Sequence, residues 1–455
     1  MNILIQAFRS RISRAYPWHF IGFLIIAMLI PKIYELSNVF WIGKISYSAL
    51  AITEQYEFIS VTIEIVNETI PFGILALVAQ NYRNREKIIE IVKSSLALQL
   101  ILSLSLMSIV LLFTPQFVSS IGTPVEIADL TKTYLVLKSI ALPFDTVAVA
   151  LLITIKAMRK GKEALYLVLT SVILNVFLDL FLISDTALSL HLGIRGVAIG
   201  YVVSKAVLMT ISLAYLSRIL NLQWSSARIG DWKGYARPLL KIGGWTGLDS
   251  LVRNIGYILV PLNVLNLIGT NQFGGYGLAM SVMWTLIVPV LAISEGTNVV
   301  VGNIYGERNI KEIEKTMLVS LSLVLLIMAS IAVTGIFYWN DISAFFNPNP
   351  EMIRYSNDTF WWLIIPYCLF GVSMVLRSVF FGTGKTRYIL YVSLLLNSLL
   401  IFPYWMLAKL GILQVTFNNL MLLFVFVFLL DILATYVFVR ATIKKLRLES
   451  TNLPI

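Results

Sequence analysis

The sequence predicts an all-α membrane protein, with twelve transmembrane helices in two six-helix lobes related by a pseudo-two-fold axis along the membrane normal. Three observations carry this. Of 455 residues, 58% are hydrophobic and 13% are charged, where a soluble chain carries about a quarter charged residues. Uncharged runs at 94–125, 254–294, 316–340, 388–408 and 410–430 each reach or pass the roughly 20 residues that a helix needs to cross the hydrocarbon core. The two halves of the chain also repeat each other's landmarks.

Apolar stretches between polar punctuation give twelve segments, at 17–43, 50–80, 88–114, 128–157, 163–186, 190–219, 238–268, 275–303, 310–338, 356–382, 386–408 and 415–443. The first follows Arg9, Arg11 and Arg14 but runs on without a small-residue cleavage site, so it reads as a helix and not as a removed leader. With both termini on the cytoplasmic side, Arg83, Arg85, Lys87, Arg159, Lys160, Lys162, Lys444, Lys445 and Arg447 all fall in inside loops. The opposite loops hold little more than Lys44, Arg195, Arg354 and Lys409. This is the positive-inside pattern, which orients the chain; a plasma (inner) membrane is the expected location. The excess of 11 positive charges is thereby spent on orientation, and nucleic acid is not an expected partner. The connector with Gly230, Gly234 and Pro238 divides an N-terminal lobe, 1–219, from a linker, 220–237, and a C-terminal lobe, 238–455.

The repeat is visible residue by residue. Val78-Ala79-Gln80-Asn81-Tyr82 returns 223 residues later as Val301-Gly302-Asn303-Ile304-Tyr305, each before a charged turn. Pro143 stands 18 residues before Gly161, and Pro366 stands 18 before Gly384; Lys162 and Lys385 follow those glycines. Leu174-Asn175 is echoed by Leu396-Asn397 at an offset of 222. An even number of helices per half gives the halves one orientation, so they are expected to flank a cleft that works by alternating access.

Several function classes are disfavoured. One cysteine, Cys368, and two histidines, His19 and His191, provide neither a disulfide framework nor a Cys/His metal site. There is no nucleophile constellation and no P-loop, so the chain is not expected to be an enzyme, to need a cofactor or to use ATP directly.

At its landmarks the chain resembles the multidrug and toxic compound extrusion (MATE) family, in the superfamily that includes oligosaccharidyl-lipid and polysaccharide flippases. Residues 78–82 and 301–306 look like that family's Val-Gly-Gln-Asn-Tyr-Gly turns, and Phe381-Gly382-Thr383-Gly384-Lys385-Thr386 looks like its Arg-Gly-Ala-Gly-Asp-Thr turn. Leu174-Asn175-Val176-Phe177-Leu178-Asp179, with Gly193 and Gly196-Val197-Ala198-Ile199 beyond it, resembles its Asn-x3-Asp segment and the Gly-x-Ala that follows. The major facilitator superfamily shares the two-half plan but matches these turns poorly. The resemblance implies that Asp179 is the coupling carboxylate. It also implies a departure: the family's first-helix aspartate aligns with Asn38, in Ser37-Asn38-Val39-Phe40-Trp41-Ile42-Gly43, and a threonine often found in its sixth helix aligns with Tyr201. An asparagine cannot titrate.

An ionisable side chain at mid-bilayer costs on the order of 2.5–3.5 kcal/mol on insertion scales, so each is a candidate functional residue. Glu57, Glu64 and Glu68 fall on one stripe of the second segment. Two roles fit them: ion pairs with Lys32, Lys138 or Lys205, or a proton or cation site facing the cleft. Asn175 and Asp179 are i, i+4 neighbours, and burial favours a neutral carboxyl where a nearby cation favours a charged one. Asp179 with Asn175 is therefore the candidate switch between substrate and H+, or Na+ held at the same pair. Glu35, Glu64 and Glu68 are candidates to replace the titratable group missing at Asn38. Lys32, Asp145, Tyr201, Asp249, Arg253, Glu295 and Arg377 are candidates for the substrate cleft. Asp249 can pair with Arg253 four residues on, whereas Arg377 has no acid within one turn and must find Glu295, Asp431 or a carboxylate substrate in space.

The leading expectation is a secondary transporter, acting as a monomer among membrane lipids. It would export amphipathic organic compounds by antiport against H+, or Na+; protons are favoured because the candidate sites are rich in Glu. The basic residues keep a lipid-linked substrate flippase open, and an anionic or zwitterionic substrate with it. A channel or non-transporting receptor has no need of a matched two-half architecture.

Overall fold

A computed structural model describes residues 16–45, 49, 52–53, 55–120, 123–184, 186–222, 233–347 and 349–451. Most of the linker expected at 220–237, and Arg9, Arg11, Arg14 and the side chain of Glu57, lie outside the described residues. The regular elements described are helices: α1 (Trp18–Ile45), α2 (Glu57–Gln80), α3 (Arg85–Ser120), α4 (Val125–Ser139), α5 (Leu142–Ala157), α6 (Gly161–Leu182), α7 (Gly193–Leu220) and α8 (Lys233–Tyr257). Beyond a π-helical turn at Ile258–Leu262 come α9 (Val264–Ile268), α10 (Thr270–Leu286), α11 (Val288–Gly306), α12 (Ile310–Phe346), α13 (Pro350–Thr383) and α14 (Arg387–Leu396). A second π turn, Asn397–Ile401, leads to α15 (Phe402–Lys409), and α16 (Phe417–Thr451) closes the chain. Among the described residues nine helices are long and apolar enough to cross a membrane, or eleven if each of two bent pairs is one span. In lipid the helix is favoured because it satisfies every backbone polar group within its own segment.

Proline accounts for most of the places where helices depart from the apolar segments. The stretch expected at 128–157 bends by 41° between α4 and α5, just before Pro143, which sits in the first turn of α5. The stretch at 275–303 bends by 47° between α10 and α11, just before Pro289. A proline lacks the N–H for the i−4 bond and its ring crowds that carbonyl; starting a new helix there removes both costs. Pro261 falls in the π turn that interrupts 238–268. Pro366, the repeat partner of Pro143, stays inside unbroken α13, which α10, α11, α12 and α16 pack around. The glycines of the repeated turn also differ in use. Gly384 caps α13 with φ +72°, whereas in the first half Arg159 takes the left-handed position, φ 60°, and Gly161 opens α6.

Contacts divide the chain into two compact units, one within Gly22–Gly247, the other Leu248–Ile455 with the residues before Gly22. In the first unit, one apolar cluster gathers Ile70, Ile74, Val147, Leu151 and Leu208, and another gathers Ile42, Tyr56, Ile63, Tyr134, Leu182 and Val197. Close helix approach in this unit depends on glycine. A Cβ on Gly196 would meet Ile183 Cγ2 at 2.7 Å and the Leu182 carbonyl at 3.1 Å, and one on Gly200 would touch Leu178 and Asp179. This small-xxx-small face lets α7 press against the end of α6. The first half of α8 lies on α2 in the same way, with Gly243 against the Thr69 carbonyl and Gly247 against the Thr69 hydroxyl. Thr246 Oγ1 donates to the Glu68 carbonyl at 2.6 Å at the same crossing.

In the second unit, Asn397, at the start of one π turn, presses its amide against Gly256 and donates to the Ser393 carbonyl at 2.9 Å. Trp339 stacks on Phe360 with ring centroids 4.4 Å apart, which ties α12 to α13.

Gly243 and Gly244 provide a matched pair. A Cβ at Gly243 collides with the Thr69 backbone, whereas one at Gly244 meets nothing within 4 Å. Gly243→Ala is expected to destabilise the protein by about 1–3 kcal/mol, the usual cost of overpacking. Gly244→Ala is expected to be neutral or slightly stabilising through helix propensity. Thermal unfolding of both variants in detergent checks the contrast.

Candidate functional site

Within the Gly22–Gly247 unit lies a cavity of about 550 Å³, lined by polar side chains from six helices and walled by members of both apolar clusters. The polar residues recur at helical spacing: Tyr34 and Asn38 on α1, Ser60, Glu64 and Asn67 on α2, Ser171, Asn175 and Asp179 on α6, and Tyr201 and Lys205 on α7. Residues four apart share one helix face, so each helix turns a single polar stripe inward. The bend before Pro143 lets Lys138 on α4 and Asp145 on α5 line the same space.

Two aspartates in the cavity are held differently. Asp145 is buried, accepts from Tyr201 Oη at 2.9 Å and forms an ion pair with Lys205 Nζ at 2.5 Å. Asp179 is also buried and accepts from Tyr34 Oη at 2.6 Å. Among the described residues this neutral hydroxyl is its hydrogen-bond partner, and no cation pairs with it. Carboxylate, phenol and the nearby Asn175 amide are oxygen donors of the kind a hard cation takes, and a carboxylate without a counter-ion can carry a proton instead. Asn38 and Asn67 also line the cavity, each with a buried Oδ1 that has no hydrogen-bond partner among the described residues.

Lys138 supplies a second feature. Its Nζ lies 3.8 Å from the centroid of the Tyr56 ring, 5.3 Å from that of Tyr134 and 5.1 Å from that of Tyr201. Lys205 Nζ is 5.1 Å from the Tyr201 ring.

The remaining candidates from the sequence are more dispersed. Lys32 pairs with Glu35 at 2.8 Å along α1; Glu35 lines the cavity and Lys32 is not in its lining. Glu64 lines the cavity, and Glu68, on the same expected stripe, does not. Asp249, Arg253, Glu295 and Arg377 fall in the other unit. There Asp249 accepts from the Ser393 hydroxyl and from Arg253 Nε at 3.0 Å. Arg377 is ion-paired with Asp431, both side chains being buried, and Ser373 and Thr435 share a hydrogen bond one turn away at 3.3 Å. Glu295 is half-buried on α11. Sequence reasoning did not single out Tyr34, Tyr56, Tyr134 or Asn67. Tyr34 and Tyr56 act on residues of other helices, and spacing along a single helix carries no sign of that. Tyr134 is four residues before Lys138 on α4, but its meeting with Tyr56 is likewise between distant parts of the chain.

Comparison with known proteins bears on this arrangement. The family model MatE matches residues 24–181 and 246–407. The two stretches begin 222 residues apart, within one residue of the offsets of 222 and 223 at which the sequence repeats. Multidrug export protein MepA of Staphylococcus haemolyticus (strain JCSC1435) is 23% identical over 385 residues, 81% of this chain and 81% of its own. Among solved structures, a MATE protein in its bent conformation superposes with a TM-score of 0.85 at 18% identity, covering 99% of each chain. A MOP superfamily transporter from Pyrococcus furiosus, described as having a reverse-polarity binding pocket that suggests a different function, superposes with a TM-score of 0.83 at 18% identity, covering 97% of this chain and 98% of its own. These likenesses give the fold, twelve helices in two lobes.

The Arg377–Asp431 pair gives a stability test. Arg377→Leu leaves a buried carboxylate uncompensated and is expected to cost about 3–5 kcal/mol. Removing both charges in Arg377→Leu/Asp431→Leu is expected to cost markedly less, because no orphaned charge remains. A double-mutant cycle on unfolding midpoints in detergent reads the difference.

Proposed function

The chain belongs to the MatE family, and on that premise we propose that it is a secondary transporter that exports amphipathic organic compounds in exchange for H+ or Na+. The observation that carries the reading is Asp179: a buried carboxylate in a polar cavity, hydrogen-bonded by Tyr34 and one helical turn from Asn175. Because its partner is a neutral donor, Asp179 can exchange one positive species for another without first breaking an ion pair. A proton or a Na+ bound there excludes a cationic substrate by charge and by space, and its release recruits one. Tyr34 Oη donates to the ionised carboxylate and keeps the site from being an undressed charge. Asp145, neutralised by Lys205, is in this reading a fixed element of the wall. Alternating access of the lobes at 1–219 and 238–455, with the termini on the cytoplasmic side, exposes the site to each side in turn. A relative named as a multidrug export protein supports the substrate class.

A second reading is favoured by Lys138 and Lys205, whose ammonium groups share this cavity: a flippase for a lipid-linked substrate with an anionic head. A neighbour described as reversed in pocket polarity keeps it in view.

Two predictions follow in proteoliposomes. Uptake of a fluorescent cationic dye is expected to follow an imposed pH or Na+ gradient in the wild type and to fall to the background of empty vesicles in Asp179→Asn. Tyr34→Phe, which removes the donor and keeps the ring, is expected to slow transport by roughly tenfold, the worth of a hydrogen bond of about 1.4 kcal/mol to a charged group. Dye movement indifferent to either gradient would overturn antiport and turn attention to lipid-linked substrates.

A further inference from the structure

We propose that Lys138 is the built-in occupant of an aromatic ammonium site in this cavity, and that it sets specificity by competing with organic ammonium compounds for that site. The inference rests on reading the cavity as the place where substrate binds. Three tyrosines from three parts of the chain converge on one ammonium group: Tyr56 before α2, Tyr134 on α4 and Tyr201 on α7, with ring centroids 3.8, 5.3 and 5.1 Å from Lys138 Nζ. All three lie within the roughly 6 Å over which an aromatic face attracts a cation.

The rings are held in place independently of the lysine. Tyr56 and Tyr134 are buried and meet edge to face, with centroids 6.4 Å apart and an interplanar angle of 78°. Tyr201 is anchored by its hydroxyl, which donates to Asp145 at 2.9 Å, so its ring face stays toward the ammonium. A box of preset aromatic walls is the recognition device for alkylated ammonium groups. All four residues line the cavity, so an ammonium that enters the cavity can reach the box.

Two cations cannot share it. A ligand ammonium must therefore displace Lys138, whose flexible four-carbon stem can withdraw. Because Lys138 is tethered one turn from Tyr134, it competes at the high effective concentration of an intramolecular ligand. A compound that presents nothing but a small ammonium is accordingly refused. One with further apolar or hydrogen-bonding contacts in the cavity can overcome the competition.

The test is equilibrium binding of choline, and of its uncharged carbon analogue 3,3-dimethylbutanol, to the purified full-length chain in detergent by titration calorimetry. Lys138→Met is expected to bind choline at least tenfold more tightly than the wild type and to show no comparable gain for the analogue. Lys138→Arg, which keeps a cation over the rings, is expected to stay at the wild-type level, and Lys138→Met/Tyr56→Leu to return to it. Lys138→Gln stands in if Lys138→Met does not purify as a monodisperse species. The proposal is overturned if removing the amine brings no gain for choline. It is equally overturned if the analogue gains as much, which would mean only that space was opened, or if the gain survives Tyr56→Leu, which would mean only that a charge was removed. None of these readouts needs an ion gradient, so their failure leaves antiport untouched, and failure of gradient-driven dye transport leaves a cage result standing.

Discussion

A charged side chain carried into the hydrocarbon region has to find its partner inside the protein, and much of what is distinctive about this chain follows from how it meets that constraint. In the unit formed mainly by Leu248–Ile455, an arginine is matched to an aspartate, Arg377 to Asp431, and Asp249 takes both Arg253 and the Ser393 hydroxyl. In the Gly22–Gly247 unit, Asp145 takes Lys205 and Tyr201. Asp179 departs from this pattern with a tyrosine hydroxyl and no ion pair among the described residues. A carboxylate matched to a neutral donor is the one whose charge state can change without orphaning a buried cation. That contrast singles out Asp179 on physical grounds, apart from any likeness to other proteins.

The scaffold around it is set by residues chosen for what they lack. Gly196 and Gly200 let α7 close on α6 where Asp179 sits, and Gly243 and Gly247 let α8 close on α2. Pro143, without an N–H, ends one helix geometry and begins another, so that Lys138 and Asp145 reach a common cavity from either side of a bend. The cavity is thus a place where several polar stripes meet because backbones approach closely and one span is broken.

How much of this could be read from the residues depended on distance along the chain. Long apolar runs and the 223-residue repeat made the helices and the two-lobe plan legible, and the pairing of Asp249 with Arg253 is an i, i+4 relation visible on a helix wheel. The placement of Asn175 and Asp179 on one buried face was legible for the same reason. Tyr34 to Asp179 spans 145 residues and Tyr201 to Asp145 spans 56; no local pattern marks either partner. Nor does the sequence distinguish Pro143, which breaks a span, from its repeat partner Pro366, which stays inside one uninterrupted helix that four others pack against. Of the three tyrosines around Lys138, Tyr201 stands out in the sequence only through the family alignment, and Tyr56 and Tyr134 look, one at a time, like ordinary apolar-face aromatics.

The most direct measurement of the coupling role of Asp179 is the count of ions released when a cationic substrate binds. It is taken on purified protein in weakly buffered detergent solution, with a pH indicator and a Na+-sensitive dye read in parallel. Release of about one H+ or one Na+ per substrate bound, abolished in Asp179→Asn while substrate still binds, is the expected result. Substrate binding with the same ion release in the Asp179→Asn variant would contradict it and move the exchange site away from this carboxylate.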